Sequence, residues 1–302
     1  MTTPRRAQLW SLLGDLPERR PIGAQTLDVR HENGYRLEKL LLDLNGLEPV
    51  PAWLMIPDGL TGPAPAVVYN HSHGGYYDRG KDEFLLGQSY LHGPYVELLA
   101  GLGCIGLAID AWCFGERSER CGGRGELDTF KRMLWHGQCL WGMMCFDTSR
   151  AVDYLVSRPE VDAGRLGTVG LSMGCTAAWW LAALDPRIQV CAGLVCLTDY
   201  TSLLAHGREA CHGVYYYVPG LLKHFETADI VRLICSRAFL SLNGDRDDGT
   251  PPEGVERIRS AVTPDWEAAG ASERLRIVRY DEEHRETPAM REEVTAWLKR
   301  WL

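Results

Sequence analysis

Hydrophobic and polar positions along the chain fall into two regimes, and the change between them comes near residue 60. Residues 5–20 predict a first, amphipathic helix closed by Pro17 and Pro21. Residues 26–32, 35–44 and 50–57 then read as strands, with Asn33-Gly34 and Asn45-Gly46 as turn signals between them. Asn-Gly between alternating runs is a strong hairpin cue, so this part of the sheet is expected to be antiparallel.

After the break at 59–65, strand and helix patterns alternate. Residues 66–70 read as a strand, 95–102 as a helix ended by Gly101 and Gly103, and 104–110 as the next strand. No clear periodicity follows through Gly142. A helix then carries Met144, Thr148, Val152 and Leu155 on one face and stops at Arg158-Pro159. Residues 166–171 read as a buried strand, 173–184 as a helix apolar nearly all round, and 190–197 as a strand. Residues 198–235 are irregular, and the run Tyr215-Tyr216-Tyr217 inside them is read as packing, with a lid over the pocket as the other reading. A strand at 238–242, a helix at 251–262 and a strand at 275–280 follow. The last helix starts at Thr287-Pro288, where threonine caps and proline takes the first turn, and its apolar face is Met290, Val294, Trp297, Leu298 and Trp301.

Such alternation implies an α/β fold: a mostly parallel central sheet with antiparallel N-terminal strands and helices on both faces. The 302 residues are expected to form a single domain. In it, 1–25 is a helical extension, and 111–143 and 198–235 are insertions near the site. A net charge of −8 argues against nucleic acid or an anionic membrane as partner, and no apolar run approaches a membrane-spanning length. A small-molecule substrate fits better, with a homo-oligomer left open. The N-terminus reads as a surface helix and not as a signal peptide. Ten cysteines are scattered without a Cys-x-x-Cys pair, and read as reduced core thiols of a cytoplasmic protein.

The chemistry centres on Gly170-Leu171-Ser172-Met173-Gly174. Strand, Gly-x-Ser-x-Gly and buried helix together are the context of a nucleophile elbow. A sharp turn there holds Ser172 with its hydroxyl out of the sheet, and strand and helix nearly touch, so positions two before and two after the serine must be tiny. Other candidates also follow strands, where sites in parallel sheets lie. After 238–242 come Asp245, Asp247 and Asp248, and after 275–280 comes His284. Serine, acid, histidine is the chain order of the α/β-hydrolase triad. Ser172 would attack, His284 would take and return the proton, and an aspartate would hold the imidazole tautomer.

An oxyanion hole needs two preorganised N–H donors. Met173, directly after the nucleophile, is one; the loop His71-Ser-His-Gly-Gly-Tyr-Tyr77 should supply the other, from Gly75 or, failing that, Tyr76. His71-x-His73 is similar to a metallo-hydrolase signature, but the aspartate and third histidine of that signature are missing, so no metal is expected and no cofactor is required. His73 and Tyr76 are candidate substrate-binding residues. Glu116 and Arg117, after the strand ending at Asp110, either orient a polar substrate or pair with each other.

Together these residues resemble the α/β-hydrolase superfamily, and within it the dienelactone hydrolase-like and acetyl xylan esterase-like bacterial esterases. Supporting phrases are His73-Gly74, Gly115-Glu116-Arg117, Val152-Asp-Tyr-Leu155, Arg158-Pro-Glu-Val-Asp162 and Ala183-Leu-Asp-Pro-Arg187. The resemblance runs from about residue 26 to the C-terminus. Its usual Gly-x-x-Asp-x-x-x-Pro spacing falls in register on Gly244, Asp247 and Pro251, so Asp247 is the expected acid and Asp248 the reserve. Dienelactone hydrolases proper use cysteine at the elbow, and Ser172 therefore points to ordinary carboxylic esters. Cys235-Ser-Arg237 departs from the Pro-Arg-Pro that relatives carry ahead of that strand. The implied activity is a serine esterase on a small-molecule ester, forming an acyl-enzyme. A small peptidase, thioesterase or acyltransferase would use the same machinery, and a non-catalytic ligand-binding homologue is the alternative from another class.

Overall fold

Side chains alternate across a strand, and in this protein that alternation sorts the core into two layers. The computed structural model describes residues 2–118 and 125–302. Three strands, β1 (Gly23–Glu32), β2 (Tyr35–Asp43) and β3 (Val50–Pro57), form an antiparallel meander at one edge of the sheet. β3 also pairs antiparallel with β5 (Ile105–Ile109). From there the sheet is parallel, through β4 (Ala64–Asn70), β6 (Val161–Leu171), β7 (Ile188–Leu194), β8 (Ala238–Gly244) and β9 (Leu275–Tyr280). The order across the sheet is β1-β2-β3-β5-β4-β6-β7-β8-β9. This is the α/β-hydrolase architecture expected from the sequence.

Val50, Ala52, Leu54 and Ile56 of β3, with Ala66 and Val68 of β4, face one layer; Trp53, Met55, Val67 and Tyr69 face the other. The first layer is covered by α1 (Thr2–Ser11), α5 (Leu140–Ser157), α6 (Met173–Leu184) and α9 (Pro252–Ala268), the second by α3 (Val96–Gly101) and α10 (Pro288–Trp301). α6 is apolar all round because it is covered all round: Trp179 and Trp180 are both fully buried. Burying a large apolar side chain there contributes on the order of 2 kcal/mol. Thr287 caps α10 as expected, its hydroxyl accepting the Met290 N–H at 3.3 Å.

Several elements differ from the sequence reading, each for a local reason. The first helix ends at Ser11, ahead of both prolines, where Gly14 turns the chain in a left-handed conformation (φ 76°). α5 starts before Gly142, which the sequence placed in the irregular stretch. A side chain at Gly142 would run into the Leu13 carbonyl, so this glycine marks close packing and not a break. Within 111–143, α4 (Gly125–Trp135) buries Glu126, Thr129 and Met133 and exposes Leu127, Leu134 and Trp135, so the face it buries is not its most apolar one. Within 198–235, α7 (Tyr200–Ala205) and α8 (Thr227–Arg232) flank three short 3-10 turns. α9 runs on through Pro264, because Val262 at the expected end and Trp266 beyond it are fully buried and hold the last turns down. Among the described residues, eight cysteines other than Cys113 are unpaired thiols, six of them buried, and Cys121 lies outside the described residues. Among the described residues, no helix is long and apolar enough to cross a membrane.

Candidate active site

The parallel strands deliver their carboxyl ends to one edge, and β4, β6, β8 and β9 each release a loop there. After β6, Ser172 adopts φ 59° and ψ −121°, a backbone conformation costly for any residue but glycine. The surrounding packing enforces it. A side chain at Gly170 would strike the Gly174 carbonyl, and one at Gly174 would strike the Asn70 carbonyl. The Ser172 N–H is tied to the Leu194 carbonyl of β7 at 3.0 Å, and its own carbonyl accepts the Thr176 N–H at 3.0 Å. That bond begins α6, so the Met173 amide ahead of it has no intrahelical acceptor.

Three side chains from three loops meet here. His284 Nε2 lies 2.8 Å from Ser172 Oγ, and His284 Nδ1 lies 2.7 Å from Asp247 Oδ2. The other Asp247 oxygen accepts the Gly249 N–H at 3.0 Å. A carboxylate can only accept, so Nδ1 carries the ring proton and Nε2 presents a lone pair to the serine hydroxyl. Burial disfavours the His284 cation, but the hydrogen bond and charge of Asp247 outweigh it, and the pKa is raised above the ordinary 6.5. The neighbouring aspartates go elsewhere. Asp245 pairs with Arg279 at 2.6 Å; Asp248, its side chain 74% exposed, pairs with Arg208 at 3.3 Å.

After β4, buried Glu83 of α2 (Glu83–Leu86) holds the 71–77 loop, accepting the Ser72 N–H at 3.0 Å and the Tyr69 hydroxyl at 2.6 Å. Gly74 and Gly75 are both left-handed (φ 52° and 76°). Contrary to the expected oxyanion role, the Gly75 N–H is engaged inside the loop, donating to His73 Nδ1 at 3.1 Å. The Tyr76 N–H likewise goes to the His73 carbonyl at 3.0 Å. The left-handed pair of glycines curls both amides back onto His73, although Gly75 itself lines the cleft.

His73 does line the cleft, its Nε2 3.3 Å from Glu126 Oε2 and its ring stacked on Tyr215. Tyr76 does not: it is 46% exposed and outside the cleft, and its neighbour Tyr77 lines the wall instead, donating to Glu126 at 3.1 Å. Burial and the Glu126 charge push the Tyr77 hydroxyl up to about 12. Both His71 ring nitrogens are taken by main chain, Nδ1 at 2.9 Å from the Ser72 carbonyl and Nε2 at 3.1 Å from the Ala111 N–H. His71 and His73 therefore do not converge on a common centre.

Glu116 and Arg117 neither pair with each other nor reach the cleft. Arg117 is fully buried behind the loop, bonded to Glu48 at 2.6 Å, Asp147 at 2.9 Å and the Asp110 carbonyl at 2.8 Å. A buried guanidinium must be surrounded by carboxylates, and these come from the turn ahead of β3 and from α5, both far away in sequence. Glu116 lies 2.6 Å from Lys81 and 3.0 Å from Lys39; burial works against its charge, but the two ammonium groups prevail and lower its pKa.

The cleft over Ser172 measures about 880 Å³. Sequence reasoning missed Glu126, Tyr77, His212 and Arg246 on its walls. Glu126 could have been found had α4 been recognised; His212, in a stretch of 3-10 turns, carries no local signal.

The family model "Acetyl xylan esterase (AXE1)" matches residues 39–228, a span that includes Ser172 and stops short of Asp247 and His284. Over 303 residues and the whole of both chains, the sequence is 46% identical to "Putative hydrolase YtaP" of Bacillus subtilis (strain 168). Among solved structures, one from Bacteroides fragilis NCTC 9343, titled a "putative acetyl xylan esterase", superimposes with a TM-score of 0.70 at 18% identity, over 92% of this chain and 74% of that one. A glucuronoyl esterase from Solibacter usitatus gives 0.67 at 18% identity, over 99% of this chain and 92% of its own. At such identities the two structures speak to the fold.

Proposed function

The chain belongs to the acetyl xylan esterase (AXE1) family and is a carboxylic ester hydrolase, and from that premise we propose that it works through an acyl-enzyme on Ser172. As Ser172 Oγ attacks the ester carbonyl, His284 Nε2 takes the hydroxyl proton. Asp247 keeps the imidazole in the required tautomer and stabilises the cation that forms. The carbonyl oxygen becomes an oxyanion facing the Met173 amide at the positive end of α6. Collapse breaks the bond to the alcohol oxygen, and His284 returns the proton to that leaving group. Water then attacks the acyl carbonyl, His284 again takes a proton, and the carboxylic acid leaves with the serine hydroxyl restored.

The observation that carries this reading is the unbroken chain from Ser172 through His284 to Asp247, 2.8 and 2.7 Å long at its two links. For substrate we assign a short-chain acyl ester of a polyhydroxylic alcohol. The family's name and its relatives point to acylated saccharides, and a cleft walled by His73, Tyr77, Glu126, His212 and Arg246 suits a hydroxyl-rich leaving group better than a fatty one. The test compares wild type with Ser172→Ala on p-nitrophenyl acetate, an acetylated sugar, an acyl thioester and an aminoacyl amide, alongside labelling by a fluorophosphonate. Loss of Ser172 should lower ester turnover on the order of a million-fold and abolish labelling. Ester hydrolysis by Ser172→Ala within tenfold of wild type sinks the acyl-enzyme; preference for the thioester or amide moves the substrate.

A further inference from the structure

His212 sits between two 3-10 turns, Glu209–Cys211 and Val214–Tyr216, in a stretch of chain with no regular helix or strand. Its ring lies flat on that of Tyr216, centroids 4.1 Å apart and planes 10° from parallel. Tyr216 is itself buried against Tyr200 and Tyr215, so the imidazole rests on a fixed platform. From there Nε2 reaches the Gly249 carbonyl at 2.9 Å. A carbonyl only accepts, which places the ring proton on Nε2. Burial, opposed by Gly249 and Asp247, lowers the His212 pKa, so the ring is neutral and offers one N–H.

Gly249 is the residue whose N–H holds the Asp247 carboxylate at 3.0 Å. This glycine is thus gripped from both ends, by Asp247 at its nitrogen and by His212 at its carbonyl. Thr198, from the loop after β7, adds a second donor to the same carbonyl at 3.0 Å. We propose that His212 is a positioning residue: by fixing the Gly249 carbonyl it sets the turn that aims Asp247 at His284. This rests on the assignment of Ser172, His284 and Asp247 as the working triad. Through this contact the irregular 198–235 stretch is coupled to the chemistry as well as lining the cleft. A carboxylate misplaced by a fraction of an ångström holds the imidazole less well in the transition state, while ground-state binding of the ester is untouched.

The experiment separates the ring's packing from its N–H. His212→Phe keeps a flat ring for Tyr216 and removes the donor; His212→Gln places an amide N–H near the Nε2 position and gives up the ring. With p-nitrophenyl acetate, His212→Phe should lower kcat about 30-fold with KM within about twofold, and His212→Gln should restore kcat to within about fivefold of wild type. The melting temperature of each variant is measured in parallel. If His212→Phe does not fold, His212→Asn, whose shorter amide cannot reach Gly249, takes its place against His212→Gln. A larger loss in His212→Gln than in His212→Phe would show that stacking and not the N–H matters, and a rise in KM matching the fall in kcat would make His212 a substrate contact; either overturns the role. Retention of full kcat in His212→Phe overturns it too, and leaves the triad standing if Ser172→Ala is dead. Activity in Ser172→Ala would instead remove the triad, and this role with it.

Discussion

Two glycine-bearing loops leave neighbouring parallel strands, one after β6 around Ser172 and one after β4 around His73, and they use glycine for opposite reasons. At the elbow, Gly170 and Gly174 are required by distance: any side chain would collide with a main-chain carbonyl, while the strained conformation itself falls on the serine. In the 71–77 loop, Gly74 and Gly75 are required by dihedral angle, and a side chain at Gly75 would meet nothing within 4 Å. The elbow leaves the Met173 amide ahead of the helix without an intrahelical acceptor. The other loop folds its amides onto His73. Glycine content reports backbone freedom in both, and says nothing of where the N–H groups point.

The comparison can be broken most severely at the far end of the elbow's hydrogen-bond chain. Asp247→Asn should lower turnover about ten-thousand-fold with a near-normal melting temperature, since the wrong imidazole tautomer becomes available, as it does when the triad aspartate of a serine protease is replaced by asparagine. Asp248→Asn and Asp245→Asn should stay within about tenfold of wild type, because each carboxylate is paired with an arginine away from His284. A dead Asp248 variant in a steady-state assay would break the assignment.

Next comes the contrast between the glycines. Gly174→Ala should destabilise the fold by roughly 3 kcal/mol or more, as overpacking against a carbonyl does, whereas Gly75→Ala should cost only about 1 kcal/mol for the left-handed angle. Urea unfolding of the two variants reads the difference directly, and equal losses would erase it.

A smaller effect concerns protonation. His284 must be neutral to take a proton, and its folded pKa is raised, so kcat/KM should climb with pH through a midpoint above 6.5. The sign for stability is the reverse. The Asp247–His284 cation favours the fold fully below 6.5, and that contribution is lost as pH rises through the folded pKa. A pH–rate profile with its acid limb below 6.5, or no downward shift of that limb in Asp247→Asn, would contradict this. Last comes His73→Phe, which keeps a ring against Tyr215 but gives up the contacts to the Gly75 amide and to Glu126, and should cost about 2 kcal/mol, the net worth of two hydrogen bonds. A loss above about 3 kcal/mol in urea unfolding would mean that His73 holds more than these two contacts.

Much of the fold was legible because it is written in period and punctuation. β3, α6, β9 and the Thr287 cap fall where alternation, helical spacing and capping residues put them. The elbow was legible for the same reason, as a motif whose meaning is local. Asp247 was singled out among three aspartates by the resemblance, whose Gly-x-x-Asp-x-x-x-Pro spacing falls on Gly244 and Pro251, and it is the one at His284. What escaped was set by distant partners. Gly142 reads as part of an irregular stretch, yet it lies inside α5 with the Leu13 carbonyl against it. The helix read over 251–262 runs on through Pro264, with Trp266 buried beyond it.

By itself, the sequence determined the order of strands and helices, the sharp turn at Ser172 and the chain order of serine, acid and histidine, since dihedral preference, apolar period and local crowding act within a few residues. The tertiary structure alone decided that Arg117 lies buried between Glu48 and Asp147, that Glu126 and His212 come to the cleft, and that the Gly75 amide turns to His73. The reason is the same in each case: a buried charge or N–H must find a partner, and which one it finds depends on what the packed chain brings within about 3 Å.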